Sequence, residues 1–360
     1  PIMSDEALIV KGTGSVFLAG SHLVNAAIGE NINNEELGGA NTHCDISGVT
    51  DYKCEDDKDA INLIRDLISL LKKNDNAGIS RIKSVSPKSN IEDIYGHFPK
   101  KRNEPYEIKK IIEGLVDDSF FREYKSTYGK TIVCGYARID GWAIGIVANQ
   151  RKIVKNSKGE MQLGGVIYSD SADKAARFIM NCNQKGIPIL FLQDVNGFMV
   201  GSKAEHNGII KDGAKMVNAM ANSVVPKFTV IIGNSFGAGN YAMCGKAYDP
   251  DLILAWPTAK IAVMGGEQAA TVLAKLEEKK YKKDGKSLTK EIKEKIYKEV
   301  NDNYESQMSP YYAASRLWVD EIIDPGETRL YISKGIEISN KRKIDTFKTG
   351  VIQTWFNYKK

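Results

Sequence analysis

The run Val230-Ile231-Ile232 followed by Gly233-Asn234-Ser235-Phe236-Gly237-Ala238-Gly239-Asn240-Tyr241-Ala242-Met243 constrains the fold more than any other stretch of the chain. Three β-branched residues read as a buried strand, the glycines as a tight turn, and the residues after them as the opening of a short helix. A strand that enters a helix so abruptly leaves the helix's first N–H groups without acceptors, at the positive end of its dipole. Such a joint stabilises negative charge, and its glycines let a ligand approach the main chain.

Two more glycine-rich turns repeat the pattern. Gln193-Asp194-Val195-Asn196-Gly197-Phe198-Met199-Val200-Gly201 follows the apolar run 189–192, and Val263-Met264-Gly265-Gly266-Glu267-Gln268-Ala269-Ala270 comes after the run 252–256. In an open α/β sheet such turns gather at the carboxyl ends of the strands, where ligands bind. Helical patterns over 172–182 and 215–221 separate the strand runs, so this part of the chain reads as α/β. Asp140-Gly141 between the strand-like runs 131–138 and 142–148 predicts a hairpin.

With 360 residues, one large or two modest domains are expected. Ser21 is positioned to cap a short helix that stops at Gly29, and apolar residues recur at helical spacing over 59–72. Residues 74–106 are polar, contain Pro87, Pro99 and Pro105, and show no sustained period. They read as an interdomain linker, giving domains over 1–75 and 107–350 with a linker over 76–106. Residues 108–124 read as one helix. The lysine- and glutamate-rich segment 275–300 reads as a solvated helix pair.

Several chemistries fit the Gly237 turn less well than an oxyanion hole. Gly237-Ala238-Gly239-Asn240-Tyr241-Ala242 matches the loose dinucleotide pattern, but that fingerprint requires a full helix and an acidic residue ending the next strand. Here the helix meets Gly245, and the next strand ends in Trp256-Pro257. No Gly-Lys-Ser/Thr closes a phosphate loop. Gly233-Asn234-Ser235-Phe236-Gly237 matches a nucleophile elbow, yet His22, His43, His97 and His206 all precede Ser235, whereas the triad needs a later histidine. A plain packing turn remains as the bland alternative. An oxyanion hole needs no dedicated protein base, because backbone dipoles hold the charge.

Composition bounds the rest. Fifty Lys and Arg against 45 Asp and Glu leave +5, too small and interspersed to argue for nucleic acid. No run of about 18 uncharged apolar residues is present, so no membrane span is expected. Five cysteines without a C-x-x-C pair, and no histidine pair at ligand spacing, predict neither a disulfide framework nor a metal site.

The turns Gly197-Phe198-Met199-Val200-Gly201, Ser235-Phe236-Gly237-Ala238-Gly239-Asn240-Tyr241 and Met264-Gly265-Gly266-Glu267-Gln268-Ala269-Ala270 resemble the carboxyltransferase subunits of biotin-dependent acyl-CoA carboxylases. So do Glu36-Leu37-Gly38-Gly39-Ala40, Ser47-Gly48-Val49-Thr50-Asp51, Arg316-Leu317-Trp318 and Asp320-Glu321-Ile322-Ile323-Asp324-Pro325. Within that family the resemblance is strongest to 3-methylcrotonyl-CoA carboxylase β subunits. It implies a crotonase-like ββα superhelix in two homologous domains, the first shortened at its amino-terminal side and binding acyl-CoA, the second binding biotin.

By the same resemblance, main-chain N–H groups of Gly237, Ala238 and Gly239 form the catalytic hole for the ureido oxygen of biotin. Gly197, Phe198, Gly208 and Phe236 then line the biotin side, and Gly38, Gly39, Gly265 and Gly266 the acyl-CoA side; no metal is implied. Biotin is carried covalently by a partner, because the chain has no biotin acceptor and no ATP-binding glycine motif. The implied partners are a biotin carboxylase and a biotin carboxyl carrier, together with further copies of the chain whose active sites form between subunits. Cytoplasm or mitochondrial matrix is the implied compartment. Ser21-His22 and Asp194-Val195-Asn196 depart from the family's usual sequence. A biotin-dependent decarboxylase and a non-catalytic assembly subunit are the alternatives.

Overall fold

A computed structural model describes residues 7–47, 49–69, 77–99, 104–156, 158–283 and 289–343. The chain divides into two compact units, Pro1–Lys73 and Asn74–Lys360.

In the first unit, Leu8–Val10 pairs in parallel with Tyr52–Cys54. Helix Ser21–Ile28 starts one residue after Gly20 and stops at Gly29, whose φ of 75° supplies the left-handed turn that a helix end favours. Ser21 is thus the first helical residue rather than the cap. Helix Asp57–Ser69 begins two residues before the expected start, with Asp57 and Asp59 in its first turn.

The second unit is built on an eight-stranded sheet. In chain order its strands are β1 (Arg122–Tyr124), β2 (Ile132–Ile139), β3 (Trp142–Asn149), β4 (Ile189–Val195), β5 (Lys227–Phe236), β6 (Leu252–Ala255), β7 (Lys260–Ala262) and β8 (Glu321–Ile322). Spatial order is β8-β6-β5-β4-β3-β2-β1, with β7 also paired to β5. The two pairs among β1, β2 and β3 are antiparallel; every other pair is parallel. The predicted hairpin is β2–β3, and its turn holds Asp140 at φ 52° and Gly141 at φ 80°. Gly141 is required there on a second ground, since a Cβ would lie 2.0 Å from the Ile82 carbonyl oxygen.

Alternate residues of the central strands feed two cores, as the period of a strand buried on both faces demands. Phe228, Val230 and Ile232 of β5 pack with Ile111, Ile112, Ile332 and Ile336 from helices Ile108–Leu115 and Thr328–Ser339. On the other face, Phe191 of β4 packs with Phe178, Ile179, Met216 and Met220 from helices Ser169–Lys185 and Ile209–Ala221.

Three expectations change. Helix Ile108–Leu115 ends well before residue 124, because Val116 turns extended and the Asp117 carboxylate receives the N–H groups of Asp140 and Gly141 and an ion pair from Arg329. The described residues of the stretch read as a linker pack into the second unit: Ile79, Ile94 and Tyr106 are buried in its larger core, and Arg81 bridges to Trp142. The third glycine turn follows the extra strand β7 rather than β6 directly. The lysine-rich segment forms helices Gly266–Lys283 and Lys290–Gln307 as an adjacent pair.

Candidate functional site

Strands β4, β5 and β7 run parallel, so their carboxyl ends and the three glycine turns lie on one edge of the sheet. The contacts between turns are close enough to require glycine. A Cβ on Gly239 would lie 2.6 Å from Val195 Cγ2 and 3.1 Å from Gly197 Cα, joining the second turn to the first. A Cβ on Gly237, whose φ is 51°, would lie 2.8 Å from the Val263 carbonyl oxygen, joining it to the third.

β5 passes directly into helix Gly237–Ala242, with Phe236 as its N-cap and no side chain capping the first turn. The amides of Gly237, Ala238 and Gly239 fall in the first turn, where a helix offers them no intrahelical acceptor. Ala238 is exposed and Gly239 is buried. Gly237 and Ala238 line a cavity of about 630 Å³, whose walls include Ile231, Ile253, Met308 and Trp318. Most of that wall is apolar or aromatic, which leaves few polar groups to compete for a bound ligand.

Behind the turn lies a satisfied polar network. Ser235 Oγ donates to Gln193 Oε1 at 2.6 Å and accepts from Asn240 Nδ2 at 2.6 Å, while Gln193 Nε2 donates to the Met243 carbonyl at 2.6 Å. Ser235 is fully buried, so its hydroxyl positions the turn and is no nucleophile. Burial also pushes the neighbouring Cys244 thiol up to about 11, far from thiolate reactivity at neutral pH.

Sequence reasoning passed over Asp194 as an anchor. Its buried carboxylate accepts from Tyr106 Oη at 2.9 Å and from the Asn234 amide at 2.8 Å, and lies 3.3 Å from Arg151 Nε. The β4–β5 register shifts between Ile231 and Ser235, and Gly233 leaves the space that this carboxylate fills. An acidic residue at the end of a buried strand followed by glycines was the available signal.

The remaining site residues are distributed as follows. Gly197 (φ 134°) has open space where a Cβ would be. The half-buried Phe198 ring packs against Gly213 of helix Ile209–Ala221. Gly208 is the N-cap of that helix at φ 82°. None of these three lines the 630 Å³ cavity. Phe236 is buried beside the position of a Cβ on Gly265, at 3.9 Å, and a Cβ on Gly266 would face Asn301 Oδ1 at 3.0 Å.

In the first unit, Gly38 and Gly39 are buried by close approaches of their own chain: a Cβ would lie 2.1 Å from the Val16 carbonyl oxygen and 2.4 Å from Glu35 Cδ, respectively. His43 is engaged by the Val16 carbonyl at 2.5 Å and Ser47 Oγ at 2.8 Å. Among the described residues no group of three His, Cys, Asp or Glu side chains is placed to hold a metal, and no helix is long and apolar enough to cross a membrane.

Residues 1–351 match the carboxyl transferase domain. The mitochondrial methylcrotonoyl-CoA carboxylase beta chain of Dictyostelium discoideum is 44% identical over 345 residues, 96% of this chain and 56% of that protein. Among solved structures, the geranyl-CoA carboxylase beta subunit of P. aeruginosa superposes with a TM-score of 0.72 at 34% identity, over 98% of this chain and 63% of that one. The transcarboxylase 12S structure, described as a hexamer with hydrolysed methylmalonyl-coenzyme A bound, gives a TM-score of 0.63 at 32% identity, over 97% of this chain and 64% of that one. The chain therefore spans less than two thirds of the length of each of these relatives.

Proposed function

Because the chain belongs to the carboxyl transferase domain family, with the crotonase-like α/β fold of its β subunits, we propose that it acts as the carboxyltransferase component of a biotin-dependent acyl-CoA carboxylase. The carboxyl group moves from carboxybiotin on a partner protein to an acyl-CoA of the methylcrotonyl type. The observation that carries this reading is the exposed, uncapped first turn at Ala238, opening on an apolar cavity of about 630 Å³.

The residues present suit biotin. A cavity of that volume has room for a bicyclic urea, apolar walls suit its saturated ring, and peptide amides suit its carbonyl oxygen. When bound, biotin supplies the carboxyl group and the base that accepts the acidic proton of the acyl-CoA. The amides of Gly237, Ala238 and Gly239 hold the negative charge on the ureido oxygen; losing one such donor costs about 2.7–4 kcal/mol of barrier. Gly239 also brings the first turn close, and Gly197, with open space in place of a Cβ, leaves that turn accessible on the biotin side. Gly208 and Phe198 shape the flank of that turn, and Phe236 sets the direction in which the helix starts. Gly265 and Gly266 contribute to acyl-CoA binding as structural glycines of the second unit, and Gly38 and Gly39 do so within the first.

The whole protein works with a biotin carboxylase and a biotin carboxyl carrier, as a homo-oligomer with active sites between subunits, in the cytoplasm or the mitochondrial matrix. The first unit belongs to the acyl-CoA-binding domain and the second forms the biotin-binding domain. The test is to combine the full-length protein with its biotinylated partner, ATP, bicarbonate and a panel of acyl-CoA thioesters. A carboxylated methylcrotonyl-type product is expected; no carboxylated thioester from any of the panel would refute the reading.

A further inference from the structure

Lys246 is the only residue lining the 630 Å³ cavity, among those described, that carries a charge at neutral pH. The other polar groups there are hydroxyls and amides, and most of the wall is aliphatic or aromatic. A carboxylate that settles against such a wall gives up part of its hydration, and a cation beside it replaces that water. The peptide N–H of Ala238, in a first turn with no side-chain cap, suits an oxygen on which charge develops. A carboxylate that is anionic throughout calls for a full positive charge.

We infer that Lys246 is the positioning residue for the carboxyl group in transit, binding the carboxylate of the carboxylated thioester. The inference rests on the carboxyltransferase reading. The lysine is placed and available for this. Its ammonium sits 3.2 Å from Asp320 Oδ1, and Asp320 is itself fixed because its other oxygen accepts the Ile253 N–H at 2.8 Å. Both partners are well exposed, with side chains 43% and 38% accessible. A pair so solvated holds its partners weakly, so an incoming carboxylate can share the ammonium, whose three donors need not all serve Asp320. Asp320 keeps the charge at the cavity wall, and the substrate takes up its remaining donors.

The test measures binding to the full-length protein by calorimetry, without biotin or turnover, for two probes: 3-methylcrotonyl-CoA and its carboxylated form, 3-methylglutaconyl-CoA. Lys246→Met is expected to weaken binding of the carboxylated thioester by about tenfold, the scale of one lost charge-assisted contact. Binding of the uncarboxylated thioester should stay unchanged, and Lys246→Arg should restore most of the difference. Equal effects of Lys246→Met on both thioesters, or on neither, would overturn the assignment while leaving the carboxyltransferase reading standing. A wild-type protein that binds both probes yet makes no carboxylated product with its biotinylated partner would count against the broader reading and remove the role in transfer assigned to Lys246.

Discussion

Ala238 supplies one of the three peptide N–H groups on which the chemistry proposed for this chain rests. Replacement by Pro deletes that donor at the second position of a helix, where the ring is sterically tolerated. Carboxyl transfer by Ala238→Pro is expected to fall at least about a hundredfold, with acyl-CoA affinity kept; steady-state kinetics beside thioester binding would check both halves. Gly237 is a poorer probe, because its φ of 51° is one that proline cannot adopt. Lys174 supplies a residue-level prediction about stability. Its side chain is fully buried and its Nζ has no hydrogen-bond partner, so desolvation holds the amine below its ordinary value. An unfolded chain then binds more protons than the folded one between the lowered value and the usual one, so this cost to stability shrinks as pH rises through that window. Lys174→Met should raise the melting temperature at pH 7, and the gain should narrow toward pH 10. Equal gains at both pH values in thermal scans would contradict the desolvation account.

Elements set how near the turns come to one another. Gly239→Ala would drive a methyl group into Val195 and toward Gly197, costing about 1–3 kcal/mol by overpacking and prying apart two turns of the site. Reduced chemical-denaturation stability together with reduced transfer is expected; a variant with wild-type stability would show that the helix can slide freely. In the β2–β3 hairpin, Gly141→Ala meets both a positive φ and the Ile82 carbonyl, and a loss of about 1–3 kcal/mol in the same assay is expected. That hairpin was legible because Asp-Gly between apolar runs has few other solutions. β4, β5 and β6 were legible for a similar reason, as short apolar runs bounded by proline, glycine or aspartate. The over-extended helix after Ile108 was not, since its true end depends on Asp117 meeting Asp140, Gly141 and Arg329, partners remote in sequence. β7 escaped notice because Lys260–Ala262 is three residues long and owes its strand form to pairing with β5.

At the scale of the molecule, every residue of the three buried clusters lies at or beyond Ile79. A fragment starting at Asn74 retains all of that core and is expected to unfold in one cooperative transition near that of the full chain. Calorimetry on the fragment would expose the opposite case, a broad transition without a heat-capacity peak. The proline-containing stretch before residue 106 looked like a tether because its apolar residues, Ile79, Ile94 and Tyr106, are isolated in sequence and acquire meaning only as plugs in a core built by others. The gathering of the three glycine turns on one edge was readable in outline, because turns at parallel strand ends fall on the same side of a sheet. Asp194 was harder, because what distinguishes it is a buried ring of partners from distant segments.

The turns come from one stretch of the chain, residues 193–270, while Tyr304, Met308, Tyr312 and Trp318 along the cavity wall come from a later one. Inheritance can therefore edit the two separately. Drift in the later stretch would resculpt which guest is admitted, while the earlier stretch is constrained at Gly237 and Gly239, where a close approach leaves no room for a side chain.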